Sequence, residues 1–68
     1  MPILKAIFKI GDRKLEIEVK ENLSVLDALK ILGINREAHL IVKNGLPVDD
    51  SSPLTPGVYE LIRIDSGG

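Results

Sequence analysis

The stretch KLEIEVKENLSVLDALKILG (residues 14–33) changes its hydrophobic period partway along, and that change decides the fold. In residues 14–20 apolar and charged side chains alternate strictly, which is typical of a β-strand with one buried face. The apolar side chains of this strand are Leu15, Ile17 and Val19. After Ser24 the apolar positions recur at helical spacing, at Val25, Ala28, Leu29 and Leu32. The pattern therefore predicts a strand followed by a helix with one apolar face.

Three residues mark the ends of this helix. Ser24 is a favourable N-cap, and Asp27 lies three positions later, where a carboxylate stabilises the N–H groups of the first turn. Gly33 can adopt the left-handed conformation that ends many helices. The sequence thus predicts one helix over residues 24–32, packed on the apolar face of the preceding strand.

The residues before this stretch predict a partner for its strand. Residues 3–10 show the same alternation, and Gly11-Asp12-Arg13 supplies a turn sequence between the two runs. Two alternating runs joined by a short glycine turn indicate an antiparallel hairpin.

The residues after the helix predict a second hairpin and a late strand. Residues 39–43 run into Asn44-Gly45, a strong hairpin signal, and Pro47 restricts the short return strand to a sheet edge. Residues 49–57 form a loop under which Leu54 is expected to pack, and residues 58–64 form the last strand. Because the helix supplies a crossover, we expect the last strand to run parallel to the first.

These elements predict an α+β fold of the β-grasp type. The order is ββαββ with a late strand, giving a mixed sheet with one helix packed on one face. We expect a β-grasp domain over residues 1–64 and a flexible C-terminal tail over residues 65–68, ending in Gly67 and Gly68.

Composition argues against several classes of function. The 68 residues include no cysteine, and nine basic residues are interspersed with ten acidic ones, so disulfides, thiolate metal sites and a nucleic-acid surface are not expected. The opening MPILKAIFKI is too short and too rich in lysine for a signal peptide or membrane span, and we expect a cytoplasmic protein.

Catalytic motifs are also missing from the sequence. It has no phosphate-binding glycine loop and no nucleophile–base pair. His39 is expected to be a solvated residue, and Asp49-Asp50 supplies too few oxygens to hold a cation. We therefore expect a protein that is not an enzyme and that binds no metal and no cofactor of its own.

The order of these features resembles the ubiquitin-like sulfur carriers. The resemblance rests on the first hairpin, SVLDALKILG, IVKNGLPV, LTPG, the apolar last strand and the terminal Gly-Gly, and it covers essentially the whole chain. The family includes the thiamine sulfur carrier, the small subunit of molybdopterin synthase and the small archaeal modifiers. One position departs from it, because Val58 follows Gly57 where such carriers often have an acidic residue.

This resemblance implies chemistry at the C-terminal carboxylate of Gly68. An E1-like enzyme would adenylate the carboxylate with ATP, and sulfur from a persulfide would displace AMP to give a thiocarboxylate. A synthase or thiolation enzyme would then use that sulfur for thiamine, molybdopterin or tRNA. Two glycines suit a tail that must enter a narrow cleft, because glycine lacks a Cβ and reaches backbone angles closed to other residues. The chain would be a cosubstrate, monomeric when free.

Alternation further predicts an apolar patch on the outer face of the sheet. If Leu40, Val42 and Tyr59 point towards the helix, five isoleucines point towards solvent: Ile3, Ile7, Ile41, Ile62 and Ile64. Exposed apolar patches commonly mark interaction sites, although β-branched residues also favour strands in their own right.

Two alternatives to a sulfur carrier remain open on the sequence. One is a ubiquitin-like protein modifier that is conjugated through Gly68 to lysines of target proteins. The other is a β-grasp interaction domain whose tail is inert.

Overall fold

A computed structural model describes residues 3–64. The predicted tail, with Gly67 and Gly68, lies outside these residues. The elements are β1 Lys5–Ile10, β2 Arg13–Glu18, α1 Val25–Leu32, a 3₁₀ turn Arg36–Ala38, β3 His39–Lys43, β4 Leu46–Pro47 and β5 Gly57–Arg63. Within the described part of the chain, no helix is long and apolar enough to cross a membrane.

The five strands form one mixed sheet in the order β2-β1-β5-β3-β4. β1 pairs with β5 in parallel, and the pairs β1–β2, β3–β5 and β3–β4 are antiparallel. The short strand β4, which contains Pro47, lies at an edge, where a residue without an N–H group removes no hydrogen bond from the sheet. The predicted α+β sheet with one helix is confirmed, including the parallel pairing of the last strand with the first.

The helix begins and ends where its capping residues predict. The Ser24 hydroxyl accepts a hydrogen bond from the Asp27 N–H, and the Asp27 carboxylate accepts one from the Ser24 N–H, each at 3.1 Å. These two bonds, the backbone one first, hold the pKa of Asp27 below its ordinary value of 3.8. At the other end Gly33 has φ 74°, the left-handed geometry that ends the helix.

The core lies between α1 and the inner face of the sheet. Phe8 and Tyr59 stack on neighbouring strands with ring centroids 4.9 Å apart. Leu54 is buried beneath the loop before β5, as predicted, and its N–H donates to the Leu23 carbonyl oxygen. The remaining buried apolar residues are Ala6, Val25, Ala28, Leu29, Ile41 and Leu61. With one helix covering one face, the opposite face of the sheet remains open.

The orientation of β3 differs from the prediction. Ile41 is only 4% exposed and belongs to the core, whereas Leu40 is 44% exposed. The prediction that Ile41 points towards solvent, with Leu40 and Val42 inward, is therefore wrong. Because side chains alternate along a strand, one reversed assignment exchanges every residue of β3 between the two faces.

Two polar residues at the ends of β3 explain how this orientation is accommodated. Lys43 shares the inward direction of Ile41, but its Nζ lies over the Tyr59 ring, 4.7 Å from the centroid. The same Nζ donates to the Pro56 carbonyl oxygen at 2.8 Å. At the other end the His39 ring hydrogen-bonds the Asn35 carbonyl oxygen. A lysine that covers apolar surface with its stem and bonds at the rim can occupy an inward position without a buried, unpaired charge.

Candidate functional site

The outer face of the sheet carries two apolar pairs separated by charge. Ile7 lies opposite Val58 in the β1–β5 register, and Leu40 lies opposite Ile62 in the β3–β5 register. Glu60 lies between Val58 and Ile62 on the same face of β5, opposite Lys9 of β1 on one side and Val42 of β3 on the other. Four residues of strand separate the two pairs by about 13 Å.

The pair nearer the end of β5 extends to the last described residue. Ile64 is two positions beyond Ile62 and so has the same direction, and the two are 53% and 49% exposed. The Ile64 N–H donates to the Ala38 carbonyl oxygen at 2.8 Å, which holds the chain against the turn before β3. We call Leu40, Ile62 and Ile64 the β5-end cluster.

The structure assigns the five predicted patch isoleucines to different places. Ile62 and Ile64 are brought together in the β5-end cluster, and Ile7 belongs to the separate pair with Val58. Ile3 is 65% exposed, but it precedes β1 and therefore lies at the end of the sheet where the parallel strand β5 begins. Ile41 is buried. The five residues do not form one patch.

Sequence reasoning missed the outer-face positions of Leu40, Val42 and Val58. Alternation along β5 places Val58 on the same face as Ile62, so this residue could have been found from the sequence. Leu40 could not, because it is one of three consecutive apolar residues, and either face of β3 agrees with such a run. Its position follows from the pairing with Ile62 in the folded sheet.

A cleft of about 300 Å³ opens beside the β5-end cluster. Its charged and polar lining residues are Arg36, Glu37, His39, Asp49 and Asp50, and its apolar ones are Leu40, Ile41, Val48 and Ile64. The Arg36 guanidinium forms an ion pair with the Asp50 carboxylate. The side chain and N–H of Ser51 donate to the Asp49 carboxylate at 2.9 and 3.0 Å. These bonds, the backbone one first, hold the pKa of Asp49 below its ordinary value.

The acidic residues of this cleft do not form a metal site. Across residues 3–64, no group of three or more His, Asp or Glu side chains is arranged to hold a metal ion. The adenylation site predicted from the sequence, Gly67 and Gly68, lies beyond the described residues. The described part of the site is the surface from which that segment continues.

Comparison with known proteins supports the fold. No protein-family model and no curated protein sequence matches the chain. Among solved structures, the UBL domain of Plasmodium falciparum Dsk2 is similar, with a TM-score of 0.70 and 23% sequence identity over 93% of this chain and 100% of that one. Together with the sheet order, this likeness shows a ubiquitin-like β-grasp fold.

Proposed function

We propose that this protein is a ubiquitin-like sulfur carrier whose reactive group is the carboxylate of Gly68. The observation that supports the proposal is the position of the β5-end cluster. It lies on the open face of the sheet at the point where the chain continues towards Gly67 and Gly68. Four residues span at most about 14 Å, so a partner that binds this cluster has its catalytic centre within a short distance of the docking surface.

The chemistry requires no catalytic side chain from this chain. The Gly68 carboxylate attacks the α-phosphate of ATP on an E1-like enzyme, which gives an acyl adenylate and pyrophosphate. A persulfide sulfur of a partner then displaces AMP, and a second thiol cleaves the resulting acyl disulfide, leaving a thiocarboxylate on Gly68 and a disulfide on the partners. The carrier is a cosubstrate in the cytoplasm, ATP is bound by the activating enzyme, and a synthase or thiolation enzyme consumes the sulfur.

A second candidate is a ubiquitin-like interaction domain whose tail takes no part in chemistry. The exposed β5-end cluster favours it as much as it favours the carrier, because both functions need a docking surface. Conjugation of Gly68 to lysines of target proteins is a third outcome, and it shares the adenylation step with the carrier.

Mass spectrometry of the protein isolated from its native cell separates these functions. If the protein is a carrier, its mass is about 16 Da higher than the sequence mass, because sulfur replaces one oxygen of the Gly68 carboxylate. The same measurement checks that Gly68 is the last residue of the mature protein, as the proposal requires. Gly-Gly remnants on lysines of other proteins would indicate conjugation. Absence of both species, with no ATP–pyrophosphate exchange by the cell's E1-like enzyme, would overturn the carrier and leave the interaction domain.

Two matched substitutions test the docking surface. Ile62→Arg is expected to weaken binding of the E1-like enzyme at least about 10-fold, since an interface apolar anchor is replaced by a charge. Ile31→Arg makes the same change at a side chain 64% exposed on α1, away from the outer sheet face, and should leave binding within about 2-fold. Equal effects of the two substitutions, in variants that retain the fold by circular dichroism, would contradict a docking role for the β5-end cluster.

A further inference from the structure

The cleft beside the β5-end cluster has the size and lining of a pocket for one long side chain. Its volume of about 300 Å³ is at the lower limit for small-molecule sites, which favours a single side chain over a cofactor. Leu40 and Ile64 belong both to this cleft and to the β5-end cluster. A protein docked on the cluster would therefore cover the cleft as well.

The charges around the cleft leave an excess of carboxylates. The Arg36 charge is compensated by Asp50, whose side chain is only 15% exposed. Glu37 and Asp49 also line the cleft, and within residues 3–64 neither forms an ion pair. Arg63 lies opposite His39 in the sheet register but does not line the cleft. Hydrogen bonds from Ser51 hold the pKa of Asp49 below its ordinary value and so favour the charged form of its carboxylate.

The His39 ring adds an acceptor to this rim. Its Nδ1 lies 2.8 Å from the Asn35 carbonyl oxygen, and a carbonyl oxygen can only accept a hydrogen bond. Nδ1 therefore carries a proton, and in the singly protonated form of the ring Nε2 is an acceptor. Hydrogen-bond acceptors above apolar side chains are complementary to a cation on an aliphatic stem.

We propose that this cleft receives an arginine side chain of the protein that docks on the β5-end cluster. The inference rests on the docking role proposed above and names a chemical feature of that partner. The methylene groups of arginine would contact the apolar residues Leu40, Val48 and Ile64. Its planar guanidinium carries five N–H donors, enough to bond both the Glu37 and the Asp49 carboxylates, whereas the compact ammonium of lysine suits one of them.

An NMR titration of the ¹⁵N-labelled protein tests this directly. Acetyl-arginine amide is the probe, and acetyl-citrulline amide, which has the same shape without the charge, is the control. We expect saturable shifts of the Asp49 and Ile64 amide signals with a millimolar Kd for the arginine probe, and binding at least about 5-fold weaker for citrulline. Equal binding of the two probes, shifts centred elsewhere on the surface, or no saturable shift would overturn the proposal.

Two charge-removing variants sharpen the test. Asp49→Asn keeps an oxygen to accept from Ser51, so the local turn is preserved, and it should weaken binding of the arginine probe at least about 3-fold. Glu18→Gln makes the same charge change on β2, which lies at the opposite edge of the sheet from β3 and β4, and it should leave binding unchanged. An effect of the same size in both variants would show general charge attraction and would overturn a specific pocket.

The outcome of this test is independent of the chemistry at Gly68. The probes bind to the carrier alone, without ATP or an activating enzyme. If the arginine probe does not bind but Gly68 is adenylated, the pocket proposal is wrong and the carrier proposal stands. If the arginine probe binds but Gly68 is not adenylated, the carrier proposal is wrong, and the pocket belongs to an interaction domain.

Discussion

Alanine substitutions at Ile41 and Leu40 test the orientation of β3, on which the proposed docking surface depends. Ile41 is 4% exposed in the core, and removing a buried isoleucine side chain to alanine costs about 3 kcal/mol, since the transfer free energy is lost and a cavity is left. Leu40 is 44% exposed, so its substitution removes only part of the roughly 1.5–3 kcal/mol that full burial of a leucine side chain contributes. Because solvent fills the space that the Leu40 side chain leaves, no cavity forms, and we expect Leu40→Ala to lower the free energy of unfolding by about 1 kcal/mol.

The difference of about 2 kcal/mol is large for a domain of this size. At about 0.05–0.15 kcal/mol per residue, the free energy of unfolding of such a chain is roughly 3–10 kcal/mol. With about 4–8 °C for each kcal/mol, Ile41→Ala should lower Tm by about 12–24 °C and Leu40→Ala by about 4–8 °C. Ile41→Ala also loses more strand propensity than Leu40→Ala, but the whole propensity scale spans only about 1 kcal/mol, so burial accounts for most of the expected difference.

Urea unfolding followed by circular dichroism measures both free energies. If Ile41→Ala does not fold, Ile41→Val replaces it, with an expected cost of about 1 kcal/mol. A Leu40→Ala variant that is as unstable as Ile41→Ala, or less stable, would refute the orientation of β3. That result would mean that Ile41 lies on the outer face and that Leu40 does not belong to the β5-end cluster.

Two further predictions concern local structure. Because hydrogen bonds from the N-cap lower the Asp27 pKa in the folded protein, their stabilisation is fully present above the ordinary pKa of 3.8 and is lost as the pH falls through the lower folded value. Asp27→Asn should flatten that part of the stability curve in urea titrations from pH 5 to pH 2, and an unchanged slope would contradict the capping role. Gly57 has φ 127°, and a Cβ there would lie 3.1 Å from Lys43 Cε, so Gly57→Ala should cost about 1–3 kcal/mol in the same assay. A neutral Gly57→Ala would show that the turn before β5 adopts another geometry.

Much of the fold could be predicted because the signals that specify it are local. The Ser24–Asp27 capping box and Gly33 define the helix, and their atoms bond within a few residues of one another. Gly11 and Asn44-Gly45 mark the two hairpin turns, and all of them have positive φ angles. Strict alternation in β2 left one choice for its inner face. Each of these features depends on neighbours in the sequence.

The candidate site was predicted less completely, because its residues meet through pairing between distant segments. The run HLIVK is apolar at three consecutive positions, so alternation alone cannot orient β3. The polar residues His39 and Lys43 at its ends favoured the wrong face. The Lys43 contacts that permit the observed face are made with the distant residues Tyr59 and Pro56, and no local pattern reveals them.

The sequence by itself thus determined the five strands, the helix α1 and their order. The tertiary structure decided which side chains share a surface. The β1–β5 and β3–β5 registers separate Ile7 from Ile62 and place Leu40 beside Ile62. The physical reason is the period of two along a strand, since a change of one residue in register moves every side chain to the other face.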